Sequence, residues 1–150
     1  MFELVIIVTV IACDQASKFL IRHTLTQGET IDIIGGFFSL KYIRNDGAAF
    51  SSFGGKQMLL IAVSVMAIIG ASFFLRKLKS EGFLIRAALA LIIAGGIGNL
   101  TDRLMFGYVT DMLSFSIFPP VFNVADIAVV CGCGLLLIYV FFYMDKAKEE

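Results

Sequence analysis

Phe122-Asn-Val-Ala-Asp126, continuing as Ile-Ala-Val-Val-Cys-Gly-Cys-Gly-Leu-Leu-Leu-Ile-Tyr-Val-Phe-Phe-Tyr-Met144, decides how this chain folds. Nothing charged interrupts it after Asp126. A helix needs ~20 mostly apolar residues to cross a bilayer, so Phe122 to Met144 reads as a membrane span. Asp126 then sits about one turn inside it, ~6 Å beyond Phe122 at 1.5 Å per residue. A carboxylate at that depth costs at least ~2.5 kcal/mol on insertion scales and is a functional hypothesis by default. The competing reading is a cap or dipole partner at the helix start, a role for which Asn123 is the more natural candidate. Upstream, Asp111 stands in Gly107-Tyr-Val-Thr-Asp111-Met112. Alone it would be an ordinary turn aspartate. The fifteen residues between the two let the chain leave one span, turn and re-enter the next, so the carboxyls can be brought close.

Composition supports the membrane class. Of 150 residues, 59% are hydrophobic and only 16% charged, and mean hydropathy is +0.91. A soluble domain of this size could not hide so much apolar side chain. The net charge is zero, so no nucleic-acid-binding surface is indicated. Cys13, Cys131 and Cys133 do not form a disulfide framework and read as small apolar residues. Val10-Ile-Ala-Cys13 resembles a lipobox, but Met1-Phe-Glu3 lacks a basic n-region. The apolar run also continues past Cys13, which reads as an uncleaved first span.

Four spans are expected, at about 2–21, 57–75, 83–104 and 122–144. Arg76, Lys77 and Lys79 fall between the second and third, and Lys146 and Lys148 lie in the tail. The connection from Met105 to Val121 has neither Lys nor Arg. The positive-inside rule then puts both termini and the basic loop in the cytoplasm, and Asp111 with the mouth of the fourth span on the opposite side. The long first-to-second connection falls on that outer side too. Phe38, Leu40 and Tyr42 alternate with Ser39, Lys41 and Ile43, and Thr30-Ile-Asp-Ile33 also alternates. Gly35-Gly36 between them reads as a hairpin turn, and Gly54-Gly55 as a flexible exit. The expectation is an all-α membrane protein: a four-helix transmembrane bundle, with a small extracytoplasmic β-sheet between helices 1 and 2, drawn from about 28–53. One domain over 1–150 suffices.

Other polar groups gather toward the same outer side. Asn99 and Arg103 in Gly98-Asn-Leu-Thr-Asp-Arg103 are i and i+4 and share a helix face. A snorkelling Arg103 would be ordinary by itself; the Asn on its face makes it less so. Gly95, Gly96 and Gly98 permit close helix approach, and packing alone could explain them. Asp14 and Lys18, again i and i+4, form an intrahelical ion pair in the outer half of the span that can also hold a sheet or a substrate head group in register. Asn45-Asp-Gly47 signals a turn. The one histidine, His23, falls in the early outer loop with no evident partner. No metal-ligand spacing or phosphate loop is present, and no cofactor is expected. The chemically able groups are the carboxylates: an adjacent pair shares one proton, which is aspartic-protease logic.

Five ordered motifs make the chain similar to the bacterial lipoprotein signal peptidases, the type II signal peptidase family. They are Asp14-Gln-Ala-Ser-Lys18, Asn45-Asp-Gly-Ala-Ala-Phe50, Gly98-Asn-Leu-Thr-Asp-Arg103, Gly107-Tyr-Val-Thr-Asp111 and Phe122-Asn-Val-Ala-Asp126. The resemblance implies a catalytic dyad of Asp111 and Asp126. This dyad would cleave diacylglyceryl-modified prolipoproteins on the N-terminal side of the lipidated cysteine. It implies that Asn99, Arg103 and Asn123 shape the site, that Asp14 and Lys18 support it, and that Asn45 and Gly47 belong to the substrate-cradling segment. It further implies membrane lipids as surroundings, globomycin-type inhibitors, a monomeric enzyme, and residence in the bacterial cytoplasmic membrane with the site at its outer face. Met112 and Ile127 depart from residues common in the family, Phe and a small polar residue, and bear on local packing. The main alternative is a small proton-coupled transporter or channel subunit. It expects polar residues spread through the bilayer midplane, whereas here they concentrate toward one surface.

Overall fold

The computed structural model describes residues 1–47, 57–78 and 81–143. Ala48-Ala-Phe50, Gly54-Gly55, Lys79, Met144 and the tail lysines Lys146 and Lys148 lie outside the described residues. The elements run α1 (Phe2–Thr24), β1 (Thr30–Ile34), β2 (Phe38–Asn45), α2 (Gln57–Lys77), α3 (Phe83–Phe106), β3 (Val109–Phe115), β4 (Phe118–Phe122) and α4 (Val124–Tyr143). All four helices are long and apolar enough to cross a membrane. Leu4, Val8, Met66, Phe73, Val130 and Phe141 are among the many large apolar side chains they expose. An apolar surface of that extent suits lipid rather than water.

Helix α3 is the centre of the bundle. It packs against α1, α2 and α4, and α1 also reaches α4. Its buried residues include the small side chains of Ala87, Ala88, Ala90, Ala94, Gly95 and Gly98 beside Ile85, Leu89 and Ile93. Such small residues let backbones approach where lipid gives helices no hydrophobic reason to associate. The approach is tight at Gly95, where a Cβ would lie 2.3 Å from the Ala125 carbonyl oxygen. Gly98 has a different reason: a Cβ there would lie 2.6 Å from Asp14 Oδ2. Gly132 makes the matching concession on α4, against the Ala88 carbonyl. At the end of the bundle where α1 and α3 begin, Glu3 pairs with Arg86 and with the N-terminal ammonium.

The sheet is larger than the sequence suggests. Its order is β1-β2-β3-β4, antiparallel throughout. Gly35 and Gly36 both have positive φ, and the Phe37 N–H returns to the Ile34 carbonyl at 2.6 Å. This is the mirror-image two-residue turn that fits strand twist. The second hairpin, β3-β4, occupies a stretch that reads as plain connection. Pro119 and Pro120 argue against a strand, yet β4 is an edge, where missing N–H groups are tolerated. Phe122 therefore ends a strand and does not begin the fourth span. It reads as apolar helix, but its backbone pairs with Leu113. Helix α4 starts at Val124, which makes Asp126 its third residue and not one about a turn inside. His23 lies in the last turn of α1, not in a loop, and its Nδ1 donates to the Phe19 carbonyl at 2.8 Å.

Gly95→Ala is expected to overpack the α3–α4 contact at a cost of about 1–3 kcal/mol. The detergent-solubilised protein should melt at a lower temperature. At Gly134 an added methyl would meet no atom within 4 Å, so Ala there should cause no such drop. Equal melting of the two variants would contradict the packing.

Candidate active site

Two turnings of the chain bring the polar groups together. Helix α3 stops at Gly107, whose φ of 81° and N–H to the Arg103 carbonyl form a left-handed C-terminal stop. Only three residues separate that stop from Asp111, which β3 carries. The return through β4 delivers Asn123, the residue immediately before α4. Its Oδ1 accepts the Asp126 N–H at 2.9 Å, while Asp126 Oδ2 accepts the Asn123 N–H at 3.1 Å. This is a reciprocal capping box with aspartate in the acidic place. Asp126 thus has the helix-start role, and its other oxygen is left for the site.

That other oxygen, Oδ1, accepts from Asn99 Nδ2 at 2.8 Å. Asp111 is 2% exposed; its Oδ1 accepts from Asn123 Nδ2 at 2.7 Å and its Oδ2 from Asn45 Nδ2 at 2.8 Å. Asn123 therefore touches both carboxylates, one through its side chain and one through its backbone. In β2 the register slips by one residue between Leu40 and Ile43, so Ile43 faces Asp111 and Asn45 faces Val109. Asn45 then reaches Asp111 diagonally. Its own Oδ1 accepts the Gly47 N–H at 3.0 Å, and the Gly47 carbonyl accepts from Arg103 Nη2 at 3.2 Å.

Beneath these amides lies a buried ionic cluster. Lys18, Asp14 and Asp102 are each 0% exposed. Lys18 Nζ lies 2.9 Å from Asp14 Oδ2, 3.0 Å from Asn99 Oδ1 and 3.5 Å from Asp102 Oδ2. Asp14 Oδ1 accepts the Ala125 N–H at 2.9 Å. A carboxylate from α1 thus satisfies a free amide in the first turn of α4, where negative charge is favoured. An ammonium only donates, so Asn99 must turn its oxygen to Lys18 and its NH₂ to Asp126. A backbone N–H also only donates, so Asn123 must turn its oxygen to Asp126 N and its NH₂ to Asp111 and to Asn99 Oδ1, 3.1 Å away. Every amide donor that α3 and the start of α4 aim at the aspartates is fixed in this way.

Burial pushes the Asp111 carboxyl up from 3.8 to about 6, with the neighbouring Asp126 charge adding to it. Donation from Asn45 and Asn123 opposes the rise. A raised carboxyl favours the protonated form in the fold. Its contribution to stability is therefore full below 3.8 and is lost as pH rises through about 6. Both aspartates open onto one cavity of about 580 Å³. Asn45, Asn99 and Arg103 line its polar end, while Val63, Ala67, Ile92 and Val130 of α2, α3 and α4 line the apolar remainder. Ile127 lines it too, and Met112 is buried against Ile21, Leu25 and Tyr42.

All nine residues singled out from the sequence thus join one network of contacts: Asp111, Asp126, Asn99, Arg103, Asn123, Asp14, Lys18, Asn45 and Gly47. Gln15, Arg22, Asp102 and Thr110 belong to the same network, although the sequence does not mark them out. Gln15 Nε2 donates to the Gly98 carbonyl at 3.1 Å and to Asp14 at 3.0 Å. Asp102 accepts the Thr110 N–H at 2.9 Å, next to Asp111. The one signal for Asp102 is its place between Asn99 and Arg103.

Comparison with known proteins agrees with this geometry. The family model for signal peptidase (SPase) II matches residues 6–142. A lipoprotein signal peptidase of Symbiobacterium thermophilum is 38% identical over 142 residues, covering 93% of each chain. One of Moorella thermoacetica is 42% identical over 133 residues, covering 89% of this chain and 88% of its own. A solved structure of a bacterial membrane enzyme, obtained by the in meso method at 2.3 Å, superposes with a TM-score of 0.89 at 28% identity. It covers 99% of this chain and 92% of its own. With a match over nearly its whole length, four membrane-spanning helices and the paired aspartates, the chain belongs to the signal peptidase II family.

Proposed function

We propose that this multi-pass membrane protein is an aspartyl endopeptidase. It removes the signal peptide from diacylglyceryl-modified prolipoproteins, cleaving before the lipidated cysteine. The observation that carries this reading is the pair Asp111 and Asp126, opening together onto a cavity that is polar at one end and apolar along the rest. A lipid-bearing peptide needs both surfaces. Residues 1–150 act as one peptidase domain. Both termini face the cytoplasm and the sheet lies at the outer face of the bacterial cytoplasmic membrane. Supporting this orientation, Arg76 and Lys77 lie in the last turn of α2, the end opposite Gln57, whose Nε2 donates to the Arg103 carbonyl where α3 leads into β3.

In the proposed mechanism the dyad shares one proton, held by Asp111. Ionised Asp126 takes a proton from water as that water attacks the scissile carbonyl. Protonated Asp111 donates to the carbonyl oxygen as negative charge develops there. Collapse of the tetrahedral intermediate passes a proton to the leaving amine and restores the dyad. Asn99 and Asn123 hold the two carboxyls in place, and Asn45 and Gly47 present the outer segment to the substrate. Arg103 offers positive charge at the cavity's polar end. Globomycin-type inhibitors would occupy the same cavity, membrane lipids would flank its apolar mouth, and a monomer suffices.

Purified Asp111→Asn and Asp126→Asn variants should insert and fold yet fail to cleave a diacylated prolipoprotein at temperatures where they are folded. Cleavage by either variant would overturn the dyad. The pH–rate profile supplies a second test. Activity should fall as pH rises through the Asp111 midpoint near 6. Asn45→Ala removes a donor that favours the ionised form, so this alkaline limb should move to higher pH. A limb that stays put or moves down would contradict Asp111 as the proton holder.

A further inference from the structure

Arg22 has no part in the chemistry above, yet it is placed with care. It lies in the last turn of α1 with its side chain only 13% exposed. Nη1 donates to Thr110 Oγ1 at 3.0 Å and lies 3.5 Å from Asp102 Oδ1. The guanidinium stacks over the Phe106 ring, 4.4 Å from its centroid. Asp102 Oδ2 accepts the Thr110 N–H at 2.9 Å. Arg22, Asp102 and Thr110 thus close a ring that holds Thr110 by both its backbone and its hydroxyl. Thr110 and Asp102 are each 0% exposed.

The ring joins three elements, α1, α3 and β3, at the residue that precedes Asp111. Between the left-handed stop at Gly107 and Asp111 there are only Tyr108, Val109 and Thr110, so a pivot at Thr110 becomes a displacement of the carboxyl. A snorkelling arginine would need none of this; its head would lie in water. Nor is Arg22 required to neutralise Asp102, which keeps Lys18 and Gln15, each 3.5 Å away. What depends on Arg22 specifically is the bond to the Thr110 hydroxyl.

We propose that Arg22 and Thr110 are positioning residues for the dyad: through Asp102 they fix the start of β3 and thereby set where the Asp111 carboxyl meets the scissile bond. This rests on the aspartyl-peptidase reading. Misplacement of a reacting group by about 1 Å can cost ~100-fold in rate, and here the loss should appear in kcat, since neither residue lines the substrate cavity.

The test is cleavage of a diacylated prolipoprotein by wild type, Arg22→Ala, Thr110→Val, Thr110→Ser and the Arg22→Ala/Thr110→Val double variant, with melting temperatures measured alongside. Arg22→Ala and Thr110→Val should each lower kcat about 10- to 100-fold while KM changes less than about twofold. Thr110→Ser keeps the hydroxyl and should cleave like wild type. The double variant should be no worse than the worse single, because the bond that Thr110→Val removes is already lost in Arg22→Ala. Wild-type kcat in folded Thr110→Val, losses that multiply in the double variant, or an effect confined to KM would overturn the proposal. Wild type failing to cleave would instead overturn the peptidase reading, and with it this one.

Discussion

The Lys18 ammonium, buried among Asp14, Asn99 and Asp102, is the interaction on which the site depends. Removing a charge from water is costly, and a buried ion cluster is no guarantee of extra stability. What it supplies here is direction. The ammonium accepts nothing, so it dictates which way Asn99 faces, and Asn99 helps dictate Asn123. The two amides then present donors to Asp126 and Asp111 in one arrangement. Asp14, held by the same ammonium, ties α1 to the first turn of α4 through Ala125 N–H. A single cation thus joins the first span, the third span and the start of the fourth.

The helix packing makes room for that cluster. Gly98 leaves the space that the Asp14 carboxylate fills, and Gly95 lets the Ala125 carbonyl approach α3. Both contacts place the beginning of α4, and so Asp126, against the C-terminal half of α3. The sheet completes the arrangement from the other direction: β3 carries Asp111 and β2 carries Asn45, with their register slipping where the two must meet. The helices and the strands each contribute one aspartate, and Asn123, at the junction of strand and helix, touches both.

Much of this is legible in the chain. Long apolar runs announce the four helices, and Gly35-Gly36 announces the first hairpin. The cost of placing Asp126 beside an apolar run draws attention to the site. The second hairpin is hidden because Phe122 and its neighbours are as apolar as a span, and because Pro119-Pro120 discourages a strand unless its edge position is known. For the same reason Asp126 reads as deeper than it is. The capping role, set against a functional one in the sequence, falls to Oδ2 alone, while Oδ1 accepts from Asn99. Lys18 with Asp14 is legible as an i, i+4 pair. The reach of Lys18 to Asp102, and of Arg22 to Thr110, is not, since more than eighty residues separate the partners and nothing local marks them.

In chemical terms the fold holds two carboxyls with neutral amides while keeping a buried cation behind them. The most direct test of the account is to replace Lys18 by Met and measure both unfolding and prolipoprotein cleavage. Breaking a buried ion pair typically costs about 3–5 kcal/mol. The variant should show a marked loss of melting temperature and no cleavage, even at temperatures where it is folded. A Lys18→Met protein that melts and cleaves like wild type would contradict the account.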